Sequence, residues 1–372
     1  AFLASNFYDT GGHTECVKNI IDAIKNDYSL GVFLSKYKCS QQSAPQKTAF
    51  IKERVNVYQG VNATKKNELK AAFKLAQLVN HFSPKVLIVF MHMDDSVCAA
   101  TLALLKKFTD IKIFYFDHGG HYPALGFRFA HLALECNETA SRITKQKRGF
   151  NNCKVIGLPS SYESLNKKFS LVEIEEKRQI MGVRKDEKCS ISGGTGYKFF
   201  EPDGSSRYFN LIKELLLAEP RLRHVVVADF DTNQKKTINQ IFQDAPEAYK
   251  RLVFLPRSPN YEILLKASDV FIDSIPVGAA LTQVDLMRLG VPSVVRINTE
   301  TPEATFHEYM PPDYPYMSES INALKDYTLK LLRDKTERER IIKENYQYYL
   351  QVYEGEAVRE KYINLIKNAD SV

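Results

Sequence analysis

Short apolar runs recur along the chain, separated by stretches whose apolar positions fall three and four residues apart. The first run, AFLASNFY, reads as a strand. A tight loop, Asp9-Thr-Gly-Gly-His-Thr14, follows it, and residues 15–24 read as a helix that Thr14 caps. Residues 28–34 read as a second strand and 65–81 as a helix. Pro84 then precedes the strand VLIVF at 86–90. Residues 95–108 read as a helix and 111–116 as a strand that ends at Asp117-His-Gly-Gly-His121. Residues 127–134 read as a helix, 135–137 as a short strand and 140–148 as a helix.

Gly157, Pro159 and the serines up to Ser164 break this periodicity. The polar, part-helical stretch to Val183 suits a surface connection. Strand signals resume at 189–192, 225–228, 252–255 and 268–273, with helical patterns at 207–218, 232–242 and 260–267. After Gly290-Val-Pro comes the strand 293–297. From Ser318 to Lys367 the pattern is helical, anchored by Tyr346, Tyr348, Tyr349 and Tyr353. Strands alternate with helices twice over, which predicts an α/β chain with two parallel-sheet domains.

Composition narrows the class. The chain has 372 residues, 44% of them hydrophobic, enough for two packed domains. No apolar run approaches the ~20 residues of a membrane span. The start, AFLASNFYD, lacks a basic n-region and reads as a core strand that begins abruptly, not as a signal peptide; the natural polypeptide is expected to start earlier. Six widely spaced cysteines form no zinc pattern, and reduced thiols in a reducing compartment are expected. Formal charge is +7, with basic clusters at 142–154 and 177–188, the second mixed with acids. Such surfaces attract nucleotides or anionic lipid, or are simply solvated. Nucleic acid is disfavoured: there is no Trp, the other aromatics do not interleave with the basic clusters, and no helix reads as a basic recognition helix.

Several loops carry chemistry. Gly11 and Gly12 let a ligand approach the backbone, and His13 beside them either takes a proton from a hydroxyl or only packs the helix start. His118, His121 and Asp117 flank Gly119-Gly120 after an apolar strand and suit hydrogen bonding to a sugar; a metal would need a further ligand. Asp94 and Asp95 bind a divalent ion, hold an acceptor, supply a base, or form a helix N-cap pair. Gly193-Gly194-Thr195-Gly196 with Lys198 suits a phosphate without being a Walker loop, and Arg257 and Ser258 end a later strand.

The most informative stretch is DSIPVGAALTQVDLMRLGVPSVV, residues 273–295. A strand meets a small-residue turn at Gly278, Thr282 offers a hydroxyl, Asp285 comes one turn later, and Gly-Val-Pro leads to the next strand. This segment resembles the donor site of GT-B glycosyltransferases, nearest the O-GlcNAc-transferase-like branch. The resemblance implies an α/β GT-B fold, two Rossmann-like domains with parallel sheets facing a central cleft. It implies an acceptor-side domain at 1–162, a connection at 163–187, a nucleotide-sugar domain at 188–335 and helices at 336–372 returning to the first domain. It implies that Asp285 holds ribose hydroxyls and that Gly194, Thr195, Lys198, Arg257, Gly278 and Thr282 serve the donor. Ala279, Ala280 and Leu281 depart from the polar residues of that branch. The acceptor side would hold Gly11, Gly12, His13, Asp94, Asp117 and His121, with His13, His118 and Asp95 as base candidates. No Glu-x7-Glu retaining pattern is evident, which points to inversion.

The expected activity is transfer of a sugar from a nucleotide sugar, a co-substrate, to a saccharide or lipid-linked glycan such as an envelope glycan. No metal or other cofactor is expected. The expected location is the cytoplasm or the inner membrane face. The alternatives are an epimerase or hydrolase of nucleotide sugars on the same fold, and a non-catalytic scaffold subunit.

Overall fold

The computed structural model describes the chain except residues 9–11, 37–48, 50, 61–66, 119–123, 161–168, 258–259 and 305. The chain divides into two units, Ala1–Ser164 with Val352–Val372, and Leu165–Gln351.

The first unit is built on β1 (Phe2–Ala4), β2 (Gly31–Leu34), β3 (Asn56–Gln59), β4 (Val86–Phe90), β5 (Lys112–Asp117), β6 (Leu132–Glu135) and β7 (Cys153–Val155). All pair in parallel, in the order β3-β2-β1-β4-β5-β6-β7. Every residue of β4 is buried, as a central strand covered by helices on both faces requires. The helix Gly355–Lys367 packs on the helix Gly12–Ile24, and Arg359 pairs with Asp27 at 2.7 Å.

The second unit holds β8 (Lys188–Gly193), β9 (Leu222–Val227), β10 (Leu252–Leu255), β11 (Val270–Ile272), β12 (Ser293–Arg296) and β13 (Met317–Ser318). These are parallel too, in the order β10-β9-β8-β11-β12-β13. Inside it, buried His224 lies between Ser190 Oγ at 2.8 Å and Tyr208 Oη at 2.7 Å. Burial pulls its imidazole down to about 3, so it is a neutral structural link.

Several sequence expectations change. Residues 127–134 are not a helix: Phe127–Phe129 make one tight turn, and Leu132–Glu135 pair with Phe114–Asp117 as β6. Residues 135–137 are thus a strand end. Thr14 does not cap its helix, which starts at Gly12; its Oγ1 accepts the Tyr8 N–H at 2.8 Å. Residues 28–30 precede the second strand. Two edge strands were not foreseen, β3 and β13; β3 carries exposed Asn56 and Gln59 and so lacks an apolar run. Residues 171–183 belong with the second unit, where Met181 and Val183 enter a core cluster. So do residues 336–351, because Ile341 is packed in that unit's other cluster.

Candidate functional site

In both sheets the strand order reverses beside the first strand, after which chain connections leave on opposite sides. Ligands of open α/β sheets bind outside the carboxyl ends of strands at such a point. In the first unit it falls at β1 and β4, in the second at β8 and β11.

At the first point, three imidazoles converge. His13 lies in the first turn of its helix, His92 follows β4 and His118 follows β5. The His13 ring centroid is 4.7 Å from that of His118 and 5.8 Å from that of His92. Tyr8 stands edge-on to His92 at 5.4 Å. His13 Nε2 donates to the Phe90 carbonyl at 2.9 Å, which fixes the tautomer and leaves Nδ1 unprotonated. Among the described residues Nδ1 has no hydrogen-bond partner. Burial first, then the neighbouring His118 and His92, holds His13 well below the usual imidazole range. Nδ1 is buried; a neutral imidazole with an unprotonated, held nitrogen suits proton abstraction from a hydroxyl that reaches it.

Asp95, in contrast, is fully buried and tied on both oxygens. Its Oδ2 accepts from Ser5 Oγ and Ser35 Oγ, each at 2.6 Å, and its Oδ1 caps the helix Ser96–Phe108 by accepting from the Cys98 N–H at 2.8 Å. It fastens the ends of β1, β2 and β4, so it fills the N-cap alternative rather than that of a base. Asp95→Ala is expected to destabilise the protein by about 3 kcal/mol, since it removes a cap and two bonds to a charged group. Urea unfolding checks this; a variant as stable as the parent would remove the structural assignment. Asp117 is also engaged: it is buried and ion-paired to Arg148, which lies 4.7 Å over the Phe127 ring. Asp94 is exposed beside Asp95, and Gly12 opens the helix. Gly11, His121 and Ser258 lie outside the described residues.

At the second point, Gly193 ends β8 with no room for a side chain: an added Cβ would sit 2.2 Å from Tyr261 Oη. Gly194 bonds back to the Val227 carbonyl, and Thr195 opens the turn Gly196–Phe199. That turn aims Lys198 at the small-residue loop, where Nζ donates to the Gly278 carbonyl at 2.8 Å. Burial pulls the Lys198 ammonium down, while the neighbouring Asp273 carboxyl opposes this. The helix Ala280–Leu289 begins here, with Thr282 in its first turn. The N–H groups of residues 280–282 have no acceptor within the helix and can meet an anion. Those of Gly278 and Ala279 are already taken, by the Ala304 carbonyl and by Asp273 Oδ1. Asp285 lies 3.5 Å from Arg288, whose guanidinium also holds Glu262 at 2.8 Å. Arg257 pairs with Asp229 at 3.0 Å across the ends of β10 and β9.

The structure thus gathers His13 and His118 in one unit, and Gly194, Thr195, Lys198, Gly278, Thr282 and Asp285 at one end of the other sheet. Sequence reading missed His92, Tyr261 and Asp273. His92 and Asp273 are each among the first polar residues after an apolar strand, the same signal that singled out Asp117 and His118. Among the described residues, no group of three or more His, Cys, Asp or Glu side chains has the geometry to hold a metal ion, the three imidazoles included.

No family model and no curated protein sequence matches the chain. Solved structures do. HepE of Anabaena, solved with UDP-glucose, matches over 99% of this chain and 99% of its own at TM-score 0.75 and 16% identity. A glycosyltransferase of Rickettsia africae matches over 99% of this chain and 97% of its own at TM-score 0.76 and 12% identity. The O-GlcNAc transferase of Thermobaculum terrenum matches over 100% of this chain and 68% of its own at TM-score 0.66 and 14% identity. A UDP-GlcNAc 2-epimerase of Neisseria meningitidis, solved with UDP-GlcNAc, matches as well. The fold is that of GT-B glycosyltransferases, with a Rossmann-like parallel sheet in each unit.

Proposed function

We propose that this chain is a glycosyltransferase that moves a sugar from a nucleotide sugar to a hydroxyl acceptor. The observation that carries the reading is Lys198, a half-buried cation held on the Gly278 carbonyl beside the start of the helix Ala280–Leu289. A half-buried ammonium beside helix N–H groups that have no acceptor within the helix suits a diphosphate. In this reading the acceptor hydroxyl gives its proton to His13 Nδ1 as its oxygen bonds the anomeric carbon. The bond from that carbon to the phosphate oxygen breaks, and the nucleoside diphosphate leaves on Lys198 and the helix N-terminus. Direct displacement inverts the anomeric centre, and Lys198 takes the part that a metal ion would otherwise play.

Uridine nucleotides are the first donors to try, since HepE was solved with UDP-glucose. A saccharide or lipid-linked glycan at the inner membrane face is the acceptor class we favour. The exposed basic side chains Arg142, Lys145 and Lys147 of the helix Glu138–Arg148 suit contact with anionic lipid. Among the described residues, no helix is long and apolar enough to cross a membrane. The match to the epimerase supports a second reading, conversion of a nucleotide sugar without any acceptor.

Calorimetric titration with UDP tests the donor site. Asp285→Ala is expected to weaken binding by about tenfold to a hundredfold, roughly 1.5–3 kcal/mol for lost charged hydrogen bonds to ribose. Unchanged affinity in a folded variant would remove Asp285 from the site. Absence of nucleotide binding by the parent would favour a non-catalytic scaffold. Product analysis with and without a hydroxyl acceptor separates transfer from epimerisation.

A further inference from the structure

Asp273 is the first residue after β11, at the point where the second sheet reverses its strand order. It is 2% exposed. One carboxyl oxygen is fully used: Oδ1 accepts the N–H of Ser274 at 3.0 Å and that of Ala279 at 2.8 Å. Those two bonds close the small-residue loop and supply the cap that Ala279 cannot give the helix Ala280–Leu289. The other oxygen, Oδ2, is buried and has no hydrogen-bond partner among the described residues. It faces Gly278, where an added Cβ would lie 2.8 Å from it. Gly278 is also the residue whose carbonyl holds the Lys198 ammonium.

An ionised carboxylate with one dry, unpartnered oxygen is costly, whereas a carboxylic acid turns that oxygen into a donor. An anion drawn to Lys198 and the helix N-terminus brings negative charge beside Asp273, and like charges at a shared dry site do not both persist. We propose that Asp273 is a positioning residue that takes up a proton when the second unit binds a nucleoside diphosphate, so that the loop holding the phosphate is capped by a neutral acid. The inference rests on the nucleotide-binding reading and extends it to a residue that does not itself react.

The groups facing Asp273 agree with this assignment. Lys198 approaches from the turn after β8, Tyr208 from the helix Arg207–Ala218, Tyr261 from the helix Tyr261–Lys266, and the Arg296 main chain from β12. Lys198 is the one side-chain cation among them, and Tyr208 and Tyr261 are pushed up, hence neutral. Burial outweighs Lys198 and the backbone donors and raises the Asp273 carboxyl to about 7. The sign follows. Well below that value the acid is already protonated and binding takes up nothing. As pH rises through it, the proton must be supplied on binding, and affinity falls by up to about tenfold per pH unit.

The test uses the full chain and UDP. Titration calorimetry near neutral to mildly basic pH, in two buffers of different ionisation enthalpy, counts the protons taken up. A positive fraction of a proton is expected for the parent. Asp273→Asn keeps an acceptor for Ser274 and Ala279 and is expected to abolish that uptake and to shrink the ratio of UDP affinities at low and high pH. Net uptake of zero by the parent overturns the proposal, as does an unaltered pH dependence in a folded Asp273→Asn variant. A parent that takes up no proton overturns the proposal even if the variant does not fold, whereas uptake is assigned to Asp273 rather than to Lys198 only by its loss in Asp273→Asn. Failure of UDP, GDP and TDP to bind at all would instead sink the nucleotide reading on which this one stands.

Discussion

Replacing His13 by alanine is expected to slow sugar transfer by ~100-fold or more while leaving UDP affinity unchanged, because in the proposed reading the imidazole serves the acceptor hydroxyl and not the donor. The argument starts from the hydrogen bond to the Phe90 carbonyl, which holds the proton on Nε2 and bares Nδ1. Burial and the two neighbouring imidazoles keep the ring neutral. A base must be unprotonated to act, so a lowered value extends activity toward acid. The kcat/KM profile should stay flat as pH falls through the ordinary histidine range near 6.5 and drop only well below it. Separate mutants of His92 and His118 divide the cluster. Loss of His92 removes a stacked neighbour and should move the acid limb upward with a smaller change in rate. Full transfer by His13→Ala would shift the role to His118; loss of UDP binding would break the assignment of roles to the two units.

The fold was legible wherever burial imposes a continuous apolar run. VLIVF at 86–90 and the stretches at 189–192 and 225–228 are central strands, and such strands need no neighbour to be recognised. Two edge strands were not legible, although the edge strand Leu252–Leu255 was, because it is an apolar run. Asn56–Gln59 offers polar side chains to solvent, and Met317–Ser318 is two residues long, so neither shows a period. Residues 127–134 misled because FRFAHLAL spaces its apolar positions as a helix would; pairing with β5 decides the matter, and that partner lies outside any local window.

The same limit governs the site. His13, His118, Lys198 and Asp285 were visible because each stands in or just past a turn at the carboxyl end of a strand. What those residues do depends on distant partners. Asp95 looked equally able to act as base or cap until Ser5 and Ser35, on two other strand ends, were seen to occupy one of its oxygens. His92 gains meaning only when β1, β4 and β5 set three rings side by side. Asp273 reads as an ordinary strand-ending carboxylate; that its Oδ2 has no hydrogen-bond partner among the described residues appears only once the loop to Ala279 folds back on it.

The second large effect is expected at Lys198. Removing its charge should lower kcat by ~100- to 1,000-fold, the usual cost of losing one group that meets charge developing in the transition state. The sugar's departure concentrates negative charge on the phosphate oxygen, so the ammonium matters more there than in the bound ground state, and the UDP affinity of Lys198→Ala should fall by a smaller factor. Stability should change little, because the single bond lost is the one to the Gly278 carbonyl. Lys198→Arg should not restore turnover. The lysine stem runs close over Gly194, whose added Cβ would lie 3.1 Å from Lys198 Cδ, and a planar, delocalised guanidinium does not reproduce the point charge of a compact ammonium. Burial has already lowered the lysine, so the basic limb of activity should fall below the ordinary lysine range and vanish in the alanine variant. Near-parental kcat in a folded Lys198→Ala protein, measured with the donor that supports transfer, would mean that the leaving phosphate is held elsewhere.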